Sequence, residues 1–208
     1  MERVQTKIYR DPNDADQRLS ELRLTRKGLL RVAAIAVHEA ANATPFHCKN
    51  AAGTFAYHHG TWALRHVFAG SEWEPAYLDG VEVIRNKELK IRVAYSNVDI
   101  ACDDLQEPKP RSKKGAGSER VCIGNRMKSL FENLPSFAPR PSNGEGTYYL
   151  MVDEHGATEL TMPVISLGTF DAYVERIYLS DGSDLATDIL PLDDGDIADY
   201  FDPQIARR

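Results

Sequence analysis

Hydrophobic periodicity predicts one long helix near the start of the chain. From Leu19 to Ala43, apolar side chains recur about every 3.6 residues, so they fall on one stripe of a helix. The members of the stripe are Leu22, Leu29, Ala33, Ala36, Val37 and Ala40. Asn42 and Pro45 mark its expected end. His38 lies opposite the stripe and is expected at the solvated surface, whereas Arg26 falls on the apolar side.

Later apolar segments predict a second helix and two antiparallel strand pairs. Residues 61–69 (TWALRHVFA) are typical of a short helix, with Thr61 as its N-cap. The runs that alternate as strands do are, in order, 81–85, 88–95, 147–153 and 158–165. Residues 169–179 fit either a short helix or a strand. Helices placed before and between antiparallel strand pairs indicate an α+β domain.

The middle of the chain is rich in Pro, Gly, Ser and Lys and is expected to be irregular. Residues 106–120 (QEPKPRSKKGAGSER) have one alanine as their only apolar residue and predict a long exposed loop. A short strand over 120–124, a third helix over 125–134 and a second linker over 135–146 follow.

Charge divides the chain into two parts. The 208 residues carry a net charge of −6, and residues 181–208 alone account for −6, so residues 1–180 are neutral as a group. We therefore expect one α+β globular domain over 1–180 and an acidic C-terminal extension over 181–208. A neutral body does not exclude a basic binding face within it.

Cysteine usage and hydropathy predict a cytoplasmic protein that does not enter a membrane. Cys48, Cys102 and Cys122 form an odd set without a CxxC pair, which is typical of reduced intracellular thiols. The most apolar run, residues 29–37, is too short to cross a bilayer and contains Arg31. Nothing in the sequence indicates a cofactor.

Residues 46–66 hold four of the six histidines, and a metal site is the first hypothesis to consider for them. His47, Cys48, His58, His59 and His66 are all suitable ligand types. Their spacing argues against a site, because there is no HxxxH, HExxH or CxxC pattern. Two helical histidines seven residues apart would lie about 10 Å apart along the axis, which is too far to share one ion. We therefore predict no metal.

A phosphate or anion site fits this segment better. His58, His59, Gly60 and Thr61 lead directly into the predicted second helix, and Arg65 follows one turn later. Backbone N–H groups at a helix start favour an anion, and glycine allows it to approach closely.

Two other interpretations of the cluster remain open. Cys48 with His47 has the composition of a nucleophile and a base, although Cys48 is expected to be a small buried hydrophobe. Alternatively the segment only packs, with Phe55, Tyr57 and Trp62 as core aromatics and the histidines as their partly buried neighbours.

A group of cations in the central loop forms a second candidate site. Lys109, Arg111, Lys113 and Lys114 have the charge to contact nucleic-acid phosphates without reading sequence. The loop is not a Walker A motif, because no Gly-Lys-Ser/Thr ends it. Residues 181–202 contain eight aspartates and no cation, so the tail is expected to compete for this loop. These aspartates do not fit an EF-hand pattern.

These features favour a cytoplasmic nucleic-acid-associated or regulatory interaction protein, which binds phosphate groups or a charged macromolecular partner. One alternative is a small histidine-dependent hydrolase or nuclease, metal-assisted or not. Another is a structural subunit of a larger complex.

Overall fold

A computed structural model describes residues 6–125 and 145–183, and within them it has one mixed sheet and four helices. The helices are α1 (Pro12–Glu21), α2 (Arg26–Ala41), α3 (Ala51–Phe68) and α4 (Ala116–Val121). The strands are β1 (Lys7–Tyr9), β2 (Glu74–Leu78), β3 (Val81–Asn86), β4 (Ile91–Asn97), β5 (Gly146–Val152), β6 (Thr158–Ser166) and β7 (Thr169–Ser180). A mixed α and β protein is therefore confirmed.

The first helical segment is two helices, so the prediction of one long helix over 19–43 is wrong. Asp11 caps α1 by accepting from the backbone N–H groups of Asn13 and Asp14. Thr25 caps α2 by accepting from the N–H of Gly28. Between them Arg23 adopts a left-handed φ of 55°, which ends the first helix. The apolar stripe hid this break because Leu22 and Leu29, seven residues apart, keep helical spacing across it and are both buried.

The second predicted helix is also longer than the sequence indicated. α3 begins at Ala51 rather than at Thr61 and ends at Phe68. α2 and α3 form a helical hairpin whose buried sides carry mostly small residues, including Ala33, Ala36 and Ala63. Small side chains allow the two helices to pack closely.

The sheet has seven strands in the order β1-β7-β6-β5-β4-β3-β2. The predicted hairpins are confirmed as β3–β4 and β5–β6, both antiparallel. β7 takes the segment 169–179 as a strand and pairs antiparallel with β6. The pairs β4/β5 and β1/β7 are parallel. A parallel neighbour needs a crossover connection, and the chain between β4 and β5 supplies it.

Each face of the sheet carries its own core. One face packs against α1, α2 and α3 through residues such as Val93, Leu150 and Ile177. The other face packs against the segment that follows β4, through Tyr149, Met151 and Tyr173. Alternate residues of β4 and β5 point to opposite faces, which explains why both strands are buried along nearly their whole length.

The segment after β4 is not the extended exposed loop that its composition predicts. Residues 116–121 are helical as α4, and the predicted strand over 120–124 is wrong because its first residues belong to α4. Val121 and Cys122 are buried against the sheet. Of the predicted third helix, only Asn125 is described, and the remainder, the 135–144 linker and residues 184–208 of the acidic extension lie outside the described residues.

A buried ion pair holds this segment to the sheet. The Arg176 guanidinium donates to the Glu159 carboxylate at 2.7 and 2.9 Å, and the two side chains are 3% and 0% exposed. Glu159 also accepts from the backbone N–H of Cys102 at 2.7 Å, while Arg176 donates to the Asp103 carbonyl. The pair therefore connects β6, β7 and the segment after β4 in one network.

Candidate functional site

The predicted anion site lies in the middle of α3, so its original rationale is wrong. His58, His59, Gly60 and Thr61 are flanked by helix on both sides, since α3 begins at Ala51. Backbone N–H groups in a helix interior are bonded within the helix and do not point to an anion. Thr61 is consequently not an N-cap.

Gly60 has a packing role instead of a ligand-binding one. It is buried where α3 crosses β4, and an ideal Cβ there would lie 2.5 Å from two ring atoms of Tyr95. Tyr95 itself is buried in the core. The glycine therefore sets the distance between the helix and the sheet.

The charged groups of this segment are paired within the fold. Arg65 forms a 2.8 Å ion pair with Glu82 of β3, and His59 lies 3.8 Å from Glu39 of α2. The Nε of Arg65 is buried and has no hydrogen-bond acceptor. Burial, followed by the charge of Glu82, raises the pKa of the nearby Tyr57. The structure thus gives Arg65 a carboxylate partner at the position where the sequence suggested a phosphate.

Two of the three aromatic side chains that the packing interpretation placed in the core are exposed, whereas Phe55 is half-buried. Trp62 is 43% exposed and Tyr57 is 40% exposed. The indole of Trp62 stacks on the ring of His66 at 4.9 Å with an interplanar angle of 8°. Tyr77 lies on the neighbouring edge strand β2 and is 67% exposed. In the strand register it is the partner of Glu82 on β3. Cys48 is exposed as well, so its expected burial is wrong.

The helical hairpin carries a net positive charge. Residues 26–68 contain five Lys or Arg residues, one Glu and five of the six histidines, so their net charge is +4 with neutral histidines. Lys27 and Arg31 are exposed on α2, and His38 is exposed as predicted. Arg26 is used internally, because it donates to Asp16 and to the Leu179 carbonyl. We call the solvent-facing sides of α2 and α3, with the 42–50 connection, the hairpin face.

The cations of the central loop do not form one group. Arg111 is ion-paired with Glu154 at 3.2 Å. Lys109 and Lys113 are exposed. Lys114 turns inward, where its Nζ donates to the Ser96 hydroxyl at 2.7 Å and lies 5.0 and 5.4 Å from the ring centroids of Tyr149 and Phe170. The composition of a loop does not show in which direction a lysine side chain points. The sequence therefore did not predict that Lys114 is separated from the other cations.

Lys114 and Ser96 have the composition of a base and a nucleophile. Burial lowers the pKa of Lys114 to about 8, and the cysteine at 122 acts weakly in the opposite direction. Ser96 is only 1% exposed, however. The β6–β7 turn packs on the neighbouring Lys113 stem, because an ideal Cβ at Gly168 would lie 2.5 Å from the Lys113 Cε, and the Gly168 carbonyl accepts from the Lys114 N–H at 2.8 Å. This arrangement leaves the Ser96 hydroxyl closed to a substrate.

The glycine-rich part of the loop is a strap that connects two hairpin turns. An ideal Cβ at Gly117 would lie 1.8 Å from the Asp79 carbonyl oxygen in the β2–β3 turn, and Arg120 forms an ion pair with Asp79 at 2.8 Å. Glu119 accepts from the Gly168 N–H in the β6–β7 turn at 3.0 Å. These residues therefore serve packing.

A cleft of about 370 Å³ lies between α4 and β6 and is partly lined by Cys122. Burial raises the pKa of the Cys122 thiol to about 12, so it is a thiol and not a reactive thiolate at neutral pH. Among the described residues, no three His, Cys, Asp or Glu side chains come together as they would to hold a metal ion. Within the same ranges, no helix is long and apolar enough to cross a membrane.

The hairpin face was not predicted from the sequence, although its positive charge is visible there. The net charge was counted over residues 1–180 as one group. In that sum, the cations of residues 26–68 are cancelled by acidic residues elsewhere in the group. The exposure of Trp62 carries no comparable signal in the sequence. No family model, no curated protein and no solved structure matches the chain, so the assignment of a function depends on this geometry alone.

Proposed function

We propose that this chain is a regulatory interaction protein whose hairpin face binds an acidic segment of a protein partner. The observation that carries the proposal is the exposure of Trp62 and Tyr57 on a helical pair with a net charge of +4. Trp, Tyr and Arg are the residue types that dominate binding energy at protein interfaces. Cations around such anchors attract an acidic partner and orient it.

A protein partner is favoured over nucleic acid by the number of available cations. Nonspecific nucleic-acid binding depends on many phosphate contacts, each made by a Lys or Arg. On the hairpin face, Arg65 and Arg26 are already paired with Glu82 and Asp16. Lys27, Arg31 and Lys49 are exposed. The central-loop cations that were expected to add to them are separated from one another.

The edge strand β2, beside the hairpin face, favours a partner that binds through side-chain contacts over one that adds a strand to the sheet. β2 is the last strand of the sheet in the described residues and contains Pro75. Proline has no N–H and interrupts the ladder that an added strand would form. Tyr77, from the same strand, is exposed and pairs in register with Glu82, which is the ion-pair partner of Arg65 on α3.

The experiment is site-specific photo-crosslinking followed by binding measurements. A photoreactive amino acid replaces His58, which is exposed on α3 one turn before Trp62, in one full-length variant and Leu105 in a control. The Leu105 side chain is 96% exposed outside the hairpin face. The protein captured in the source cell only by the first variant is purified, and its Kd is measured. Trp62→Ala should weaken binding by about tenfold or more, as expected for a central aromatic anchor, while Leu105→Ala leaves Kd unchanged.

Three results would overturn the proposal. The first is capture of no protein from the His58 position. The second is equal capture from Leu105. The third is capture of nucleic acid, with an affinity that falls steeply with salt, which would establish the nucleic-acid alternative.

A further inference from the structure

We propose that His66 makes the hairpin face sensitive to pH, so that an acidic partner binds there more tightly when the imidazole carries a proton. This inference deepens the proposed function and rests on it for the partner, but the change of charge at the hairpin face is measurable without one. Three observations carry it: the stacking of His66 on Trp62, the distribution of the histidines, and the engagement of the nearby acidic residues.

The histidines are concentrated on the hairpin face. Imidazole is the side-chain group that ordinarily changes its charge between about pH 5 and 8. Five of the six histidines lie within residues 26–68, and all five are exposed. The same range contains one acidic residue, Glu39, and the sixth histidine, His155, lies between β5 and β6. A fall in pH through this interval therefore adds positive charge mainly at the hairpin face.

His66 is in contact with the proposed anchor, Trp62. The two residues are one turn apart on α3, and their ring centroids are 4.9 Å apart with an interplanar angle of 8°. Both side chains are exposed. A neutral imidazole only stacks on the indole, whereas a protonated one also makes a cation–π contact and carries a charge. Protonation therefore places a cation directly beside the anchor.

Two of the other histidines are engaged within the hairpin. The Nδ1 of His47 accepts from the Thr44 backbone N–H at 2.9 Å. An imidazolium carries a proton on both ring nitrogens, so protonation of His47 would break this hydrogen bond. His59 lies 3.8 Å from Glu39, so a charge on His59 is offset by a carboxylate of the same hairpin. Neither histidine supplies a free cation to a partner.

The remaining two histidines are placed less directly than His66. His58 lies one turn before Trp62, but its ring is edge-on to Tyr57, with the centroids 5.9 Å apart and an interplanar angle of 68°. His38 lies on the other helix, in the last turn of α2. Among the described ring contacts, His66 is thus the one histidine that stacks on Trp62.

The acidic residues around α3 are already engaged. α3 packs chiefly against α2, β2, β3 and β4, and α3 and β4 contain no acidic residue. The acids of the other three elements are Glu39, which accepts from the Asn42 amide at 3.0 Å, Glu74, which pairs with Lys87 at 2.8 Å, and Glu82, which pairs with Arg65 at 2.8 Å. The cations of α3 and its neighbouring elements are Arg26, Lys27, Arg31, Arg65, Arg85 and Arg92.

A charge on His66 is therefore left for a partner. In the described part of the chain, the histidines that lie within 4.0 Å of a carboxylate oxygen are His59 and His155. No carboxylate of the described fold thus pairs with His66. An uncancelled cation beside an exposed aromatic anchor attracts an acidic partner and strengthens its contact there.

Fluorescence quenching of the full-length protein at about pH 7.5 and 5.5 measures the charge beside Trp62. The chain has two tryptophans, and Trp73 is 3% exposed, so added quenchers reach Trp62. Iodide is an anion, whereas acrylamide is neutral. The ratio of their Stern–Volmer constants therefore reports the local charge, and it cancels differences in exposure and in fluorescence lifetime.

We expect this ratio to rise about twofold as pH falls, because a unit charge about 5 Å away still attracts iodide in the presence of salt. His66→Gln should remove most of the rise, and His58→Gln a smaller part. His155→Gln is the matched control, since His155 is exposed outside the hairpin face, and it should leave the rise unchanged. A ratio that does not change with pH, or that rises equally in His66→Gln, would overturn the proposal.

Partner binding has a separate readout. The Kd of the protein captured by photo-crosslinking is measured at both pH values with the natural chain, His66→Gln and His155→Gln. Kd should fall about threefold or more at the lower pH for the natural chain and for His155→Gln, and much less for His66→Gln. Comparison of the three proteins cancels the titration of the partner itself.

The two measurements separate this inference from the proposed function. A ratio that rises with falling pH and loses this rise in His66→Gln, together with no captured partner, would refute the proposed function alone. A captured partner whose Kd changes with pH equally for the natural chain and for His66→Gln would refute this inference alone.

Discussion

Gly60 of α3 lies directly against the ring of Tyr95 on β4. An ideal Cβ at Gly60 would be 2.5 Å from both Cε2 and Cζ of the ring and 2.8 Å from Cε1. Tyr95 is 3% exposed and belongs to the core beneath the helices, so its ring has no free space into which to move. The glycine that follows His58 and His59 is therefore required by helix–sheet packing.

Gly60→Ala should lower the free energy of unfolding by about 1–3 kcal/mol, because the added methyl overpacks the core more than helix propensity compensates. Gly53→Ala is the matched control in the same helix. Its nearest neighbour, the Asn97 amide nitrogen, is 3.9 Å from the ideal Cβ, so this change should stabilise by about 0.5–1 kcal/mol. Urea denaturation of both variants measures the difference. Equal effects of the two changes would mean that Tyr95 does not restrict Gly60.

Periodicity predicted the sheet-forming hairpins well and the helix boundaries poorly. Alternation along β3 and β4 reflects a real division between two buried faces, so it could be read directly. In the first helical segment, Leu22 and Leu29 keep the helical apolar spacing across a connection that is not helical. The caps Asp11 and Thr25 were the better signals for the two helices.

For the candidate sites, the sequence predicted which residue types are present but not where their side chains lie in the fold. The loop composition gave four cations, but one of them, Lys114, is directed inward by contacts with Ser96, Tyr149 and Phe170 that come from three distant strands. Likewise, whether Trp62 is in the core depends on which side of α3 faces the sheet. Because aromatic residues occur on several sides of α3, the sequence does not show which side that is. Tertiary contacts decide both cases.

Gly117→Ser should destabilise the fold by about 2 kcal/mol or more, because the new Cβ would collide with backbone rather than with a movable side chain. The atom it meets is the Asp79 carbonyl oxygen at 1.8 Å. Gly115→Ser is the control, since nothing lies within 4 Å of its ideal Cβ and serine is a favourable N-cap for α4. Thermal unfolding monitored by circular dichroism compares the two. A lower melting temperature for Gly115→Ser than for Gly117→Ser would contradict the strap.

Glu159→Gln should lower the free energy of unfolding by about 3–5 kcal/mol, because it leaves the Arg176 charge buried without its counter-charge. Glu154→Gln is the control, since it removes the partner of Arg111 in a pair that is about half exposed. Loss of such a pair costs at most about 1 kcal/mol. Chemical denaturation at neutral pH provides both values. Similar small losses in the two variants would show that the Arg176 pair does not anchor the segment after β4.

Lys114 should make the free energy of unfolding depend on pH in the alkaline range. Burial lowers its pKa from 10.5 to about 8 in the folded protein, whereas the unfolded chain keeps the higher value. Between these two pH values the unfolded state binds more protons than the folded state, so the contribution of Lys114 to stability rises with pH. Below about pH 8 both states are protonated, and the folded protein bears the whole cost of the buried charge, about 1–3 kcal/mol.

Lys114→Met removes that charge and keeps the length and apolar stem of the side chain. The variant should therefore gain most over the natural protein near pH 7, and this gain should shrink as pH rises toward 10.5, because the natural lysine is then neutral as well. Urea denaturation of both proteins at several pH values between 7 and 10 gives the difference, which cancels the titration of other groups. Lys113→Met, at the exposed neighbouring position, should show no pH-dependent difference. A gain for Lys114→Met that stays constant or grows with pH would mean that the ammonium is not destabilised by its surroundings, and that the rings of Tyr149 and Phe170 with the Ser96 hydroxyl compensate fully for its burial.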